Sequence, residues 1–294
     1  MAFGRRRDGV LVEDLPALRR IIPYLLRTRT SSSVYFPQRI DVEDLLAWLD
    51  EVNAGRPDAE HVTLFHVLVT AVGRTLRLRP ELNRFVAGRR TYQHRDISIS
   101  FVVKTSMSDE APESETRLVL DGTESVQQVR DLVERAVARE RADLSGADDR
   151  LVELFANWPR PVLTAISRTI ALLDDHAALP GRLMDAIPLY TSVYLVNAGS
   201  LGIDAPFHHL YETGTASVFV SVGRAAPVPV VDAGGRVVAR RCLDVVYTLD
   251  ERASDGFYFA RTAEVFRRLV ATPSLLARTD VTIDEVLAGW PDGT

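Results

Sequence analysis

The chain is poor in cysteine. Cys242 is the only one in 294 residues, which excludes an intrachain disulfide and a cysteine-based metal cluster. It lies in a β-like apolar segment, where a thiol reads as a small buried hydrophobe rather than a nucleophile. No stretch approaches the ~18 uninterrupted apolar residues of a spanning helix. The N-terminus has no apolar signal core. A strong charge of one sign is missing too: 35 basic against 40 acidic residues leave a net charge of −5. That argues against nucleic acid, a partner that calls for a basic face. The one basic run, Arg5-Arg6-Arg7, reads as a solvated tail. These features predict a soluble protein of the reducing cytoplasm. The sequence also lacks a Gly-x-x-x-x-Gly-Lys-Ser/Thr loop, a Gly-x-Gly-x-x-Gly turn after a strand and a Gly-x-Ser-x-Gly elbow. Nucleoside triphosphate and dinucleotide chemistry are therefore not indicated.

What is present is a core. Apolar residues make up 46% of the chain, as in a globular protein. After a charged lead-in over residues 1–14, Leu18, Ile21, Ile22, Leu25 and Leu26 recur at helical spacing, with Pro16 suited to a first turn. Ser33 to Ile40 reads as a strand, at a sheet edge because of Pro37. Asp41 and Thr63 are placed to cap helices at Val42–Val52 and Leu64–Leu78, the second stopping at Arg79-Pro80. A hairpin turning at Ala87-Gly88, an alternating strand from Ile97 to Val103 and a short strand from Arg117 to Leu120 follow. An amphipathic helix is predicted up to about Arg141, then a loop over 142–149. Leu151 to His176 is a long apolar, helix-like region broken by Pro159 and Pro161. It suits core or subunit packing, a lid over an apolar channel, or contact with a membrane surface. Strands at Thr191–Val196 and Ala216–Val222 precede a hairpin turning at Gly234-Gly235. No repeat or long linker divides the chain, so residues 15–294 are expected to form one interleaved α+β domain.

The most informative stretch is the strand–turn–helix junction Leu249-Asp250-Glu251-Arg252-Ala253-Ser254-Asp255-Gly256-Phe257. It resembles the Asp-His-Arg-x-x-Asp-Gly signature of the 2-oxoacid dehydrogenase (dihydrolipoamide) acyltransferase catalytic domain and of chloramphenicol acetyltransferase. Two earlier segments resemble the same family in the same order. Arg79-Pro80-Glu81-Leu82-Asn83-Arg84-Phe85 matches its Pro-x-Leu/Ala-Asn helix end, and Thr191 to Ile203 matches its Ser-Asn strand and turn. The resemblance implies an α+β fold of the chloramphenicol acetyltransferase type, a mixed sheet flanked by helices and assembled as a trimer. It also implies acyl transfer with CoA or acyl-CoA as co-substrate, in a channel between subunits, with no metal and no tightly bound cofactor. Lipoyl and subunit-binding domains are not expected, so an acceptor thiol would arrive on another molecule.

Two positions depart from the pattern. Glu251 stands where the family has its histidine base, and Val196 where it has the serine that binds the oxyanion. A base must reach the nucleophile, and a donor must face the developing charge. Glutamate, with an ordinary pKa of about 4.3, becomes a useful base only in a dry channel. Tyr194, Asn197 and Ser200 mark the oxyanion region, where Tyr194, Thr191, Ser192 or Ser200 would offer another donor. Asp255 would brace the turn against Arg27 or Arg29, and Gly256 would permit a tight entry into the helix. His208-His209, oriented by Glu212 or Asp204, reads as a hydrogen-bonded loop pair, a substitute base or a metal ligand. His66 reads as packed, and His94 as a polar loop residue. Glu251-Arg252 also fits a plain surface ion pair. Two functions remain: an acyltransferase that uses Glu251, Asp255 and His208 or His209, or an inactive relative serving as trimeric scaffold or ligand-binding partner of an oxoacid dehydrogenase-type complex.

Overall fold

The computed structural model describes residues 6–104, 113–143, 157–232 and 234–289. Among these residues nine strands fall into two sheets. The strands are β1 (Gly9–Leu11), β2 (Ser33–Asp41), β3 (Arg84–Ala87), β4 (Arg90–His94), β5 (Ile97–Lys104), β6 (Glu113–Leu120), β7 (Val193–Asn197), β8 (Val218–Val231) and β9 (Val237–Asp250). The main sheet has the order β2-β9-β8-β7-β5-β6, and a small one has β1-β4-β3. β7 runs parallel to both β5 and β8, while the other pairs of the main sheet are antiparallel. Pro37 does lie on an edge strand, where its missing N–H costs no ladder bond.

The longer helices are α1 (Ala17–Leu25), α2 (Glu43–Asn53), α3 (Leu64–Leu78), α4 (Val126–Asp143), α5 (Arg160–Asp175) and α7 (Gly256–Ala271). Two short ones among the described residues are α6 (Gly181–Ala186) and α8 (Ile283–Val286). Thr63 caps α3 as its position predicts, and the His66 ring accepts from the Thr63 N–H in return. Asp41 accepts from the Glu43 N–H at the start of α2.

The two faces of the main sheet differ. One packs α3, α4 and α7 over alternating residues such as Ile99, Val193, Leu195, Val220 and Val245, all fully buried or nearly so. The other carries the row Tyr194, Phe219, Thr248 and Tyr35, register partners across β7, β8, β9 and β2. The segment before β8 covers part of that row, with Leu210 and Tyr211 packed on Tyr194 and Phe219. Large apolar side chains stay exposed around it: Leu18, Ile21, Tyr24 and Leu25 of α1, Tyr35, and Phe207.

Several expectations change. The basic run is not a solvated tail throughout: Arg6 is buried, bonded to Asp8 and Asp174. The chain is therefore tied down from Arg6 onward, within the expected 1–14 lead-in. β6 begins at Glu113, four residues before the predicted start at Arg117, because polar residues are tolerated on an edge strand. Residues 142–143, expected as loop, complete α4. Residues 144–149 of that loop and 151–156 of the apolar region lie outside the described part. The region's helix begins after Pro159 and buries none of its residues fully; Ile170 and Leu173 pack half-buried against Leu179, Met184 and Tyr190. His94 is no loop residue. It is buried on β4 with its ring 4.3 Å from that of Phe85, and this burial drives its pKa down to about 4.

Candidate active site at the signature turn

The signature turn is built around a buried ion pair. Asp250 ends β9, its side chain fully enclosed, and takes two bonds from the Arg252 guanidinium at 2.8 and 2.7 Å. Ser32 donates to the same carboxylate at 3.0 Å, and so does the Arg252 N–H at 3.1 Å. A carboxylate with this many donors holds the loop in one shape. The Glu251–Arg252 surface pair allowed by the sequence is not formed, because Asp250 claims the arginine.

Glu251 is lifted outward by that arrangement. Its N–H donates to the Ser32 carbonyl at 3.0 Å, and its own carbonyl accepts from Arg19 at 2.8 Å. The backbone is thus fixed on both sides, while the carboxylate is exposed and has no partner among the described residues. Asp255 caps α7 by accepting from the Tyr258 N–H at 2.7 Å. The arginine beside it is Arg19, at 3.6 Å, rather than Arg27 or Arg29. Arg29 is buried elsewhere and donates to the carbonyls of Glu212 and Gly214. Gly256 is not needed for the turn. It is the first residue of α7, lies outside the left-handed region, and a Cβ there would meet nothing within 4 Å.

Of the other predicted residues, Tyr194 and His208 lie on the opposite face of the sheet, whereas Asn197 ends β7 in the alternation of Val193 and Leu195 and Ser200 lies in the turn after it. Tyr194 is buried and donates to Glu115 at 2.8 Å; burial and that carboxylate push its pKa far up. The hydroxyl is committed to that bond. Thr191 and Ser192 are likewise engaged with Ser98 and Asp96. Ser200 donates to the Asn197 carbonyl at 2.7 Å. His208 stacks on Phe219, centroids 3.9 Å apart and 7° from parallel, with His209 stacked beyond it at 4.9 Å. Neither Asp204 nor Glu212 orients these rings: Asp204 pairs with Arg224, and Glu212 accepts from Arg29 and Thr30. Among the described residues neither histidine touches Glu251, and no group of three or more His, Cys, Asp or Glu is placed to hold a metal ion.

Sequence reasoning missed two hydroxyls. Ser217 and Ser254 are buried, and both oxygens lack a hydrogen-bond partner. Both line a cavity of about 70 Å³ beside Glu251. Ser254 stands inside the signature, three residues after Glu251, and that position was the only available clue.

Residues 14–139 match the family described as 2-oxoacid dehydrogenases acyltransferase (catalytic domain). No curated protein matches the chain. Solved structures do. The cubic core of a pyruvate dehydrogenase multienzyme complex superposes with a TM-score of 0.60 at 16% identity, over 90% of this chain and 93% of that one. The Azotobacter vinelandii dihydrolipoamide acetyltransferase, studied for the catalytic roles of a serine, a histidine and an asparagine, gives 0.59 at 17% identity over 90% and 93%. A chloramphenicol acetyltransferase gives 0.51 at 12% identity, over 90% and 98%. The fold is that of the chloramphenicol acetyltransferase-like acyltransferase cores. The family match ends before β7, so the likeness of the Ser-Asn strand and of the signature turn rests on fold and motif.

Proposed function

We propose that the protein is a divergent acyltransferase of the 2-oxoacid dehydrogenase type, moving an acyl group between CoA and a thiol or hydroxyl acceptor. The observation that carries this reading is the placement of Glu251. By the motif it aligns with the signature's histidine, and it sits on a backbone fixed by Ser32 and Arg19, with its carboxylate unpaired at the rim of a cavity. In the proposed reaction Glu251 takes the acceptor's proton while the acceptor attacks the thioester carbonyl. The tetrahedral intermediate then collapses, the C–S bond to CoA breaks, and the proton passes from Glu251 to the departing thiolate. Asp255 and Arg19 act as positioning residues through the start of α7.

In a single chain Glu251 is open to water, where a carboxylate is too weak a base. The proposal therefore includes assembly as a trimer, which would cover the exposed side chains of α1, Tyr35 and Phe207 and close a channel over Glu251. A dry channel raises a carboxylate's pKa. His208 and His209, on the partly open face, would then meet the substrate across the interface, as would Asn197 and Ser200. A second reading is supported by the exposure of Glu251 and by valine at position 196: an inactive trimeric scaffold or ligand-binding partner of an oxoacid dehydrogenase-type complex.

Turnover separates the two. Acyl exchange between acyl-CoA and small thiols, followed by CoA release, is expected to fall about 10²–10⁴-fold in Glu251→Gln. A variant with the full rate removes Glu251 from the chemistry. A wild-type protein that binds CoA without turnover supports the scaffold. Sedimentation of the 32.6 kDa chain as a monomer rules out the shared channel.

A further inference from the structure

The cavity beside Glu251 has polar and apolar lining. The polar part comes from Ser217, Ser254, the carboxylate residues Asp250, Glu251 and Asp255, and the first residue of α7, Gly256. Ser217 is 2% exposed and Ser254 8%, with no partner for either hydroxyl oxygen. Buried hydroxyls without partners are costly and uncommon in native proteins. Asp255 satisfies the Tyr258 N–H alone, so the amides of Gly256 and Phe257 have no partner within the helix. The space beside Gly256 is empty to 4 Å, which leaves bare backbone open to an approaching group.

Val34, Leu82, Leu249 and Phe259 form the apolar lining. Leu82 and Phe259 are also walls of a second, wholly apolar void of about 20 Å³ between the sheet and helices α3 and α7. Those two side chains therefore stand between an outer chamber at the signature turn and a smaller space in the core. An apolar cavity of about 150 Å³ accommodates a ring the size of benzene. The outer chamber, near 70 Å³, is on that scale matched to roughly three carbon atoms.

We propose that this cavity is the acyl pocket, taking an acyl group of about two to four carbons. Its carbonyl oxygen lies toward the serine hydroxyls and the α7 amides, and its tail lies against Leu82 and Phe259. The inference rests on the acyltransferase reading for the identity of the thioester. It adds a chain-length gate at Phe259. It also supplies hydrogen-bond donors on the signature side, where Val196 provides none.

The test is calorimetric titration of wild type, Phe259→Ala and Val34→Phe with CoA and with the N-acetylcysteamine thioesters of acetate, butyrate and octanoate. Wild type is expected to bind the butyryl thioester about tenfold tighter than the octanoyl one. Phe259→Ala, which joins the two voids, is expected to reverse that order. Val34→Phe is a change on the exposed edge strand that does not threaten the core. It is expected to weaken the butyryl thioester about tenfold with little effect on free CoA. Equal affinity for all three thioesters, unmoved by either substitution, overturns the pocket even where CoA binds. Butyryl binding that responds to both substitutions without any CoA binding keeps the pocket and overturns the CoA reading. Absence of all binding overturns both.

Discussion

Asp250 and Glu251 are neighbours in sequence and opposites in environment. Asp250 is enclosed, with donors from Arg252 and Ser32; Glu251 is exposed with no side-chain partner. One residue of chain separates a carboxylate that holds the fold from one left without a partner among the described residues. The contrast follows from strand geometry, since successive side chains at a strand end point in opposite directions. A turn that must present a reactive group can therefore anchor itself with the adjacent position.

The comparison can be broken most forcefully at Asp250. Asp250→Ala leaves Arg252 enclosed without its counter-charge, with buried Arg29 nearby, and should cost about 3–5 kcal/mol in urea unfolding. A loss under about 1 kcal/mol would place the pair in the ordinary surface class. His94 extends the contrast to a second sealed group. Its folded pKa of about 4 lies below the ordinary 6.5. Stability from the neutral ring is therefore complete above pH 6.5 and declines as acid protonates the unfolded chain first. The slope approaches about 1.4 kcal/mol per pH unit, for about 3 kcal/mol in all by pH 4. Unfolding midpoints measured between pH 6.5 and 5, where most carboxylates have yet to titrate, should be flatter in His94→Gln. Asp255→Ala removes a helix cap and should cost about 1 kcal/mol. The smallest effect belongs to Glu251→Gln, which should shift stability by less than about 0.5 kcal/mol while reducing turnover.

Much of this was legible in the sequence, for physical reasons. Local signals acted locally: Thr63 caps where its position predicts, Pro37 sits on an edge, and the signature forms a strand, turn and helix, while the N-cap of α2 falls on Val42, one residue after Asp41, whose carboxylate still accepts from the Glu43 N–H. The fold resemblance followed from three ordered motifs. What escaped was partner choice. Arg19 and Asp255 are 236 positions apart and meet only because α1 crosses the end of β9. Nothing in the sequence favours Arg19 over Arg27 or Arg29. The sequence offered Glu251 as the partner of Arg252, and burial decided for Asp250. His94 was misread because its neighbours Arg95 and Asp96 are polar, whereas its ring is covered from another strand by Phe85. Ser217 gave no signal, and Ser254 only its place in the signature, because an unsatisfied hydroxyl is a property of its surroundings.

One feature of the sheet carries a consequence for handling the protein. β8 and β9 continue past their neighbours as a two-stranded arm, pairing from Pro227–Arg241 out to Val231–Val237. Pro227 and Pro229 sit in that ladder without interrupting it, so their missing donors fall on the outward rim. Arg240 and Arg241 bind Asp41 and Glu43 near its base. A protruding ribbon of valines would otherwise be a template for adding strands from other molecules. Replacing both prolines with valine would restore that template, and the first symptom would be visible turbidity on concentrating the protein, well before any change in melting temperature.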